Sequence, residues 1–463
     1  MPMAVDPEDP SPTPPSTDDA TENPPQGETR MTLEQAVELA NALHRRGRMT
    51  EAVAIFQQVL NVSPDHADAL HYLGLCRFEQ GEAEQGISLV RRAIELCPEF
   101  ADAHNNLGNM LRMRGFLDEA AASYERSIAL RPDNADAINN LGTTLKARGL
   151  LDEAVAMFER ALALNPDHVA TLNNLGNLLV RAGRQDLALD HFQKALLLAP
   201  YDGRAYYRLG YALCLENRLE DAAAIYRRWM AIEPDKPEPR HLLAACTGEN
   251  VPERASKEFV ERLFDRFAPS FDAVLDALEY KAPALVADAV REILQPFADR
   301  AIDVLDAGCG TGLAGPLLRP YAQRLVGLDL SKHMLAQAQG RACYDELVQS
   351  DLTEHLDQHE GAYDLIAAVD TLCYFGDLRE VVGASARALR PGGHLAFTVE
   401  KSEPNAAPSG YFLHPHGRYS HTEAYVRSAL VEAGLDAQLV RTAELRLERT
   451  PVQGLVVVGS RVA

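Results

Sequence analysis

Apolar and polar positions along residues 31–234 repeat with a period of 34, marked by Pro64, Pro98, Pro132, Pro166, Pro200 and Pro234. Each unit holds two stretches with apolar residues at helical spacing. A turn separates them near Gly47, Gly81, Gly115, Gly149, Gly183 or Asn217. Small residues (Ala52, Gly86, Ala120, Ala154, Ala188, Ala222) fall where the second helix approaches the first, and leucine–glycine pairs recur from Leu73–Gly74 to Leu209–Gly210. The pattern predicts paired amphipathic helices. Each proline ends one unit and opens the next without needing a mid-helix N–H.

Beyond Pro234 the pattern changes. Residues 235–255 are polar and read as a linker or capping turn. Ser256–Leu278 has helical spacing interrupted by Pro269, which predicts two short helices. A helix over Ala282–Leu294 leads into alternating strands and helices. The strands are expected at Ile302–Ala307, Arg324–Leu328, Glu346–Ser350, Asp364–Val369, His394–Val399, Gln438–Glu444 and Gly454–Ser460. Helices are expected from Leu313 through Tyr321 and over Lys332–Arg341, Leu378–Leu389 and His421–Ala433. This order predicts a C-terminal α/β doubly wound sheet of seven strands. The last two strands have no helix between them and should form an antiparallel edge hairpin.

Composition narrows the picture. The chain has 463 residues, 46% of them hydrophobic, which calls for two or three domains. Residues 1–30 hold eight prolines and seven acidic side chains and are expected to be a disordered acidic tail. The net charge of −22 argues against a nucleic-acid or anionic-membrane binder. No apolar run approaches the roughly 18 residues of a spanning helix, and no basic-plus-apolar leader opens the sequence. The seven cysteines are scattered without CxxC, which suits reduced thiols and a cytoplasmic location and offers no metal framework. The expected domains are the tail at 1–30, repeats at 31–234, a linker at 235–255 and the sheet domain at 256–463.

The 34-residue units resemble the tetratricopeptide family, about six of them over residues 31–234. Such units bury their apolar faces by stacking, which implies an all-α superhelix with a concave surface. Asn106, Asn140 and Asn174 occupy equivalent positions in three successive first helices, and Asn109 and Asn177 follow the glycines. Amides both donate and accept, so a ladder of them suits an extended peptide backbone. Similar ladders occur in protein-binding tetratricopeptide superhelices. Helix-to-helix contacts within the repeat are the plainer use of these residues, and self-association, as a dimer, is a third.

In the sheet domain, Ala301–Gly315 reads AIDVLDAGCGTGLAG: a short apolar run ending in Asp306, then Gly308, Gly310 and Gly312. The glycines allow a tight turn and close approach of a ligand to backbone. G-x-G-x-x-G fits from Gly310 through Gly312 to Gly315, so a nucleotide loop is supported without choosing the nucleotide. Acidic residues end four consecutive strands: Asp306, Asp329, Asp351 and Asp370. With Leu389–Gly393, read LRPGG as a turn before the fifth strand, this set resembles the class I S-adenosylmethionine-dependent methyltransferases over about residues 256–463. The resemblance implies that Asp306, Gly308, Cys309, Gly310 and Gly312 form the turn against the methionine portion of S-adenosylmethionine. It implies Asp329 on the ribose hydroxyls and Leu330 on the adenine. Asp351 would take the exocyclic amine with Leu352 beside it, and Asp370 would lie near the methionyl amine and the substrate mouth. An NAD enzyme is the competing nucleotide reading, since Asp329 suits either ribose.

The segment Leu263–Phe271, LFDRFAPSF, resembles the aromatic pre-sheet helix of such enzymes, so Phe264 and Phe267, with Phe271, are expected to close over the cofactor; helix packing is the plainer reading. Acceptor-side candidates are Tyr374 and the histidines His414, His416 and His421 of the insert 401–420 and its end. A neutral imidazole there would serve as a base. That long insert at the ligand end of a sheet is expected to be a substrate lid. Two uses of the whole chain follow. Either the repeats recruit a protein or peptide for methylation, or a small-molecule methyltransferase uses them to dock to a partner or carrier protein. A scaffold with a retired enzyme domain is a third arrangement.

Overall fold

The computed structural model describes residues 31–294, 302–448 and 450–462. The acidic tail expected at 1–30 lies outside them. The chain folds as two compact units, one ending at Leu150 and one beginning at Leu151.

The first unit is helical throughout, from Leu33–Arg45 to Ala135–Ala147. Local chemistry sets the helix ends. His66 and Asn134, each two residues after a repeat proline, cap the next helix by accepting from the N–H three positions on. Left-handed glycines such as Gly81 (φ 89°) then carry the chain out of the first helix of each pair. Glycine in the leucine–glycine pairs serves close contact: a Cβ would stand 2.7 Å from Val90 at Gly74 and 2.7 Å from the Tyr124 ring at Gly108. Val37, Ala40, Phe56, Val59 and Leu73 form one buried cluster in this unit.

The second unit opens with further repeat helices, from Leu151–Leu164 to Leu219–Ile232. These are followed by α1 (Pro237–Thr247), α2 (Lys257–Phe267) and α3 (Phe271–Ala277). Pro269 sits in a 3-10 turn between α2 and α3, as the interrupted periodicity predicts.

The sheet contains β1 (Ile302–Ala307), β2 (Ala322–Asp329), β3 (Glu346–Gln349), β4 (Tyr363–Ala368) and β5 (Leu389–Lys401). It continues with β6 (Tyr411–Leu413), β7 (Tyr419–His421), β8 (Leu435–Leu447) and β9 (Pro451–Arg461). The first five are parallel in the order β3-β2-β1-β4-β5. β9 lies antiparallel on β5, and β8 pairs antiparallel with β9 at that side. Side chains alternate between two cores. Leu305, Val326, Ile366 and Phe397 face one, with the helices Arg379–Ala388 and Glu423–Glu432 supplying Val382 and Leu430. Val304, Leu325, Leu365 and Ala396 face the other, against Val286 and Val290 of Ala282–Leu294.

The described sheet has nine strands rather than seven, because the insert is partly strand. Glu400 pairs with both Gly454 on β9 and Ser420 on β7. β7 therefore occupies the side of β5 that β4 vacates after Phe397. The expected lid 401–420 is accordingly a hairpin, β6–β7, pinned to the sheet. Two other expectations change. The helix after the glycines is a single turn, Gly315–Leu318, with Pro316 in that turn and Pro320 just beyond it, which disfavours helix in the residue before it. The LRPGG stretch is a bulge inside β5 rather than a turn before it, with the register shifting opposite Tyr363–Leu365. No described helix is long and apolar enough to cross a membrane.

Candidate functional site

The carboxyl ends of β1, β2 and β4 converge on the glycine turn. Asp306 is 1% exposed; Tyr344 donates to its Oδ2 at 2.6 Å, while its Oδ1 has no partner. Burial pushes its pKa up to about 7. Gly308 is left-handed (φ 72°), and a Cβ there would collide with the Thr371 side chain. The Cys309 N–H donates to the Leu328 carbonyl at 2.8 Å, tying the turn to β2. The carboxylate of Asp329 then accepts from Gly310 N at 2.9 Å and Ser331 N at 2.8 Å. Burial, only partly offset by these donors, raises its pKa to about 6. Gly312 is also left-handed (φ 84°). Leu330 beside Asp329 is half-buried, its carbonyl accepting from Gln349.

The aromatic segment folds over this turn. Thr311 donates to Asp272 of α3 at 2.6 Å, and Ser331 donates to Asp265 of α2 at 2.6 Å. A Cβ built on Gly310 would meet only the Phe271 ring, at 3.8 Å. Phe267 and Phe264 meet Phe271 edge-on at 5.3 and 6.1 Å, and Phe264 meets Tyr374 at 5.5 Å.

Asp351 stands elsewhere in the bonding scheme. It caps the helix Leu352–Gln358, accepts from Arg254 at 3.2 Å and is 6% exposed. The adenine role implied by resemblance thus falls on a carboxylate already engaged. Leu352 is buried in the first core. The D-x-x-E spacing of Asp351 and Glu354 is the signal that announces this helix.

At the ends of β4 and β5 lies a charged set. Asp370 is left-handed (φ 53°), an uncommon conformation for a residue with a side chain. Its N–H donates to Thr398 Oγ1 at 2.8 Å; its Oδ2 accepts from Arg446 at 3.2 Å, and its Oδ1 has no partner. Arg446, 1% exposed, also donates to Glu400 at 2.5 Å and Glu448 at 2.9 Å. Arg418 adds ion pairs to Glu400 and Glu448, each at 3.0 Å. Burial alone would raise the Glu400 pKa; Arg418 and Arg446 outweigh it and hold it near about 2. Sequence reasoning missed Arg446, Arg418 and Glu448. Arg446 lies past the expected strand Gln438–Glu444; β8 runs on to Leu447, and the bulge between Glu444 and Arg446 places Arg446 in the interior beside fully buried Leu445.

The acceptor-side histidines separate. His421 is in β7, not at a helix start; Thr422 caps the following helix. The ring is 0% exposed, its Nε2 lies 3.0 Å from the Gly376 carbonyl, and burial lowers its pKa to about 4. So enclosed a ring is placed for packing rather than for taking a proton from a substrate. His414 Nε2 is engaged with Ser420 Oγ at 2.7 Å. His416 stacks on His414 at 5.0 Å, lies 4.0 Å from Glu400 and keeps 35% of its side chain exposed. Tyr374 is half-buried, and burial pushes its hydroxyl well above the usual range, so it stays a donor. Among the described residues no cluster of three His, Cys, Asp or Glu side chains is placed to hold a metal.

The asparagines make contacts inside the repeats. Asn106 bonds His71 of the preceding unit at 2.9 Å, Asn140 donates to Asn105 at 3.2 Å, and Asn109 accepts from Tyr124 at 2.8 Å. Asn174 and Asn177 are half-buried.

The site suits S-adenosylmethionine on its own chemistry. Asp329 offers acceptor-only oxygens at a strand end for hydroxyl donors. Gly310 leaves space beneath Phe271, and Asp306 and Asp370 each keep one buried carboxylate oxygen without a partner, which suits a ligand that brings cationic or amine donors.

Comparison with known proteins agrees. Residues 305–397 match the methyltransferase domain family, and tetratricopeptide repeat families match 32–200 and 179–246. Human methyltransferase-like protein 27 is 33% identical over 171 residues, 36% of this chain and 67% of its own. Ubiquinone biosynthesis O-methyltransferase of Cronobacter sakazakii is 36% identical over 100 residues, 21% of this chain and 41% of its own. Malonyl-[acyl-carrier protein] O-methyltransferase of Enterobacter lignolyticus is 34% identical over 143 residues, 31% of this chain and 54% of its own. This chain therefore spans only about half the length of these last two relatives. Among solved structures, PilW, a type IV pilus biogenesis factor, aligns over 46% of this chain and 98% of its own, at 20% identity and TM-score 0.43. The chain belongs to the class I S-adenosylmethionine-dependent methyltransferases, with tetratricopeptide repeats on the same polypeptide.

Proposed function

We propose that this protein methylates a protein or peptide that its repeats recruit. The observation that carries the methyltransferase part is Asp329, an acceptor-only carboxylate tied to the Gly310 turn at the end of β2. When bound, S-adenosylmethionine supplies an electrophilic methyl carbon on sulfonium. Asp329 would accept the ribose hydroxyls, and the Gly308–Gly312 turn would leave room for the methionine portion. Phe264, Phe267 and Phe271 would exclude water above it. Asp370, with an unpartnered Oδ1, would orient a donor group at the mouth. Methyl transfer asks mainly for alignment of an acceptor lone pair, so the fixed set of Asp370, Arg446 and Glu400 would act by positioning. His416, 4.0 Å from Glu400 and partly open, would offer a hydrogen bond on the acceptor side; burial lowers its pKa to about 4, so a proton leaving an amine or alcohol acceptor would pass to water instead. Recruitment is supported by the repeats on the same chain and by the repeated first-helix amides.

A second reading is a small-molecule acceptor, with the repeats docking to a partner or carrier protein. The names of the O-methyltransferase relatives favour it. One experiment separates the two: incubate the chain with host lysate and methyl-labelled S-adenosylmethionine, then fractionate. Label in protein supports recruitment. Label only in small molecules transfers the proposal to the second reading, and label in neither removes the activity.

A further inference from the structure

The helix α1 that follows the last repeat is buried over more of its circumference than a terminal cap requires. Glu238, Pro239, His241, Leu242, Ala244 and Ala245 are all buried. A cap that only closed a repeat stack would bury one stripe and leave a polar outer face. Here the additional partner is the β6–β7 hairpin: Ala244 and Ala245 share a cluster with Leu413 and Tyr419.

His241 makes the most specific of these contacts. Its Nε2 lies 2.9 Å from the Gly417 carbonyl, so it donates to it; its ring packs on Phe259 at 4.4 Å and meets Tyr419 edge-on at 6.2 Å. Gly417 is left-handed (φ 89°) and closes the hairpin turn, its N–H donating to His414 O at 2.8 Å. Tyr419, 0% exposed, fixes the other strand by donating to the Pro252 carbonyl at 2.7 Å. The peptide held by His241 lies between His416 and Arg418, the two hairpin residues that reach Glu400. Glu400 in turn shares Arg446 with Asp370.

We propose that His241 is a positioning residue for methyl transfer: by holding the Gly417 turn it fixes Arg418 and His416 against Glu400 on the acceptor side. This rests on the methyltransferase reading above. The segment after the repeats is then part of the wall of the reaction site as well as the end of the repeat stack. Burial and the Gly417 contact explain why a histidine is used here. The ring fills the space between Phe259 and Tyr419, and its one N–H satisfies a carbonyl that would otherwise be left inside.

The test compares His241→Leu and His241→Gln in the full chain, since glutamine retains a side-chain N–H donor and leucine does not. Three readouts are needed: S-adenosylhomocysteine affinity by calorimetry, hydrogen exchange of the peptide covering 411–421, and transfer of labelled methyl into lysate at saturating donor. His241→Leu should keep S-adenosylhomocysteine affinity, speed exchange at the turn about tenfold and slow transfer about tenfold, on the scale of one buried hydrogen bond. His241→Gln should restore both. Unchanged exchange in His241→Leu, or faster exchange with unchanged transfer, overturns the proposal. If the leucine variant fails to fold, His241→Phe, which fills the same space without an N–H donor, decides: faster exchange with slower transfer supports the role, and either change without the other, or neither, contradicts it. Failure of the parent reading would appear separately, as a wild-type chain that binds no S-adenosylhomocysteine; hydrogen exchange would still decide whether His241 holds the turn.

Discussion

The backbone N–H of Gly310 donates to the Asp329 carboxylate at 2.9 Å, joining the glycine turn of β1 to the end of β2. One residue thus shapes the loop and presents acceptor oxygens beside it. The same carboxylate is raised to about 6 by burial, and Asp306 to about 7. That arrangement makes the site sensitive to pH.

Both carboxyls hold protons more tightly folded than unfolded. Their ionisation therefore costs stability as pH rises from the usual carboxylate range through about 7. Hydroxyl donors on Asp329 favour its charged form, so cofactor binding should release a proton and weaken as pH falls below about 6. Calorimetry of S-adenosylhomocysteine at about pH 5.5 and about pH 7.5 should show the weaker binding at the lower pH, and Asp329→Asn should flatten the difference.

Arg446 is buried among Asp370, Glu400 and Glu448. Arg446→Met should destabilise by about 3–5 kcal/mol, because it leaves carboxylates buried without their cation. Urea unfolding measures this. Glu400, held near about 2, contributes stability that is present above its unfolded pKa and is lost as pH falls through about 2.

His421→Asn should cost about 1–3 kcal/mol by removing a buried ring and disturbing its bond to the Gly376 carbonyl. The pH dependence of methyl transfer should keep its shape. A shift in that profile would restore His421 as a proton acceptor.

Replacing Asn106, Asn140 and Asn174 together by alanine should reduce methyl label in the protein fraction and leave S-adenosylhomocysteine affinity unchanged. A stability loss of about 1 kcal/mol for each broken inter-repeat bond is expected alongside, read by thermal melting. Unchanged label would assign the amides to packing alone.

What could be read from the chain beforehand was what is periodic or local. The 34-residue period needs no tertiary knowledge, and Asp306, Asp329 and Asp370 each stand just past or at the end of an apolar run. The β6–β7 hairpin was hidden because YFL and YSH become strands only through the free side of β5 beyond Phe397, a non-local condition. Arg446 was hidden for a related reason: it lies past the expected end of its strand at Glu444, and its direction depends on a bulge there. The helix Leu352–Gln358 is written locally, in the Asp351 cap and Glu354, but an acidic residue at a strand end carries the same letter whether it caps a helix or binds a ligand.

The most direct measurement is calorimetric titration of S-adenosylhomocysteine into the wild-type chain and Asp329→Ala, with circular dichroism to show that both are folded. The account predicts one saturable site in the wild type and binding weakened about 10- to 100-fold in the variant, the loss of charge-assisted hydrogen bonds. Equal binding by the two folded proteins, or a wild type that takes up NAD and not S-adenosylhomocysteine, would contradict it.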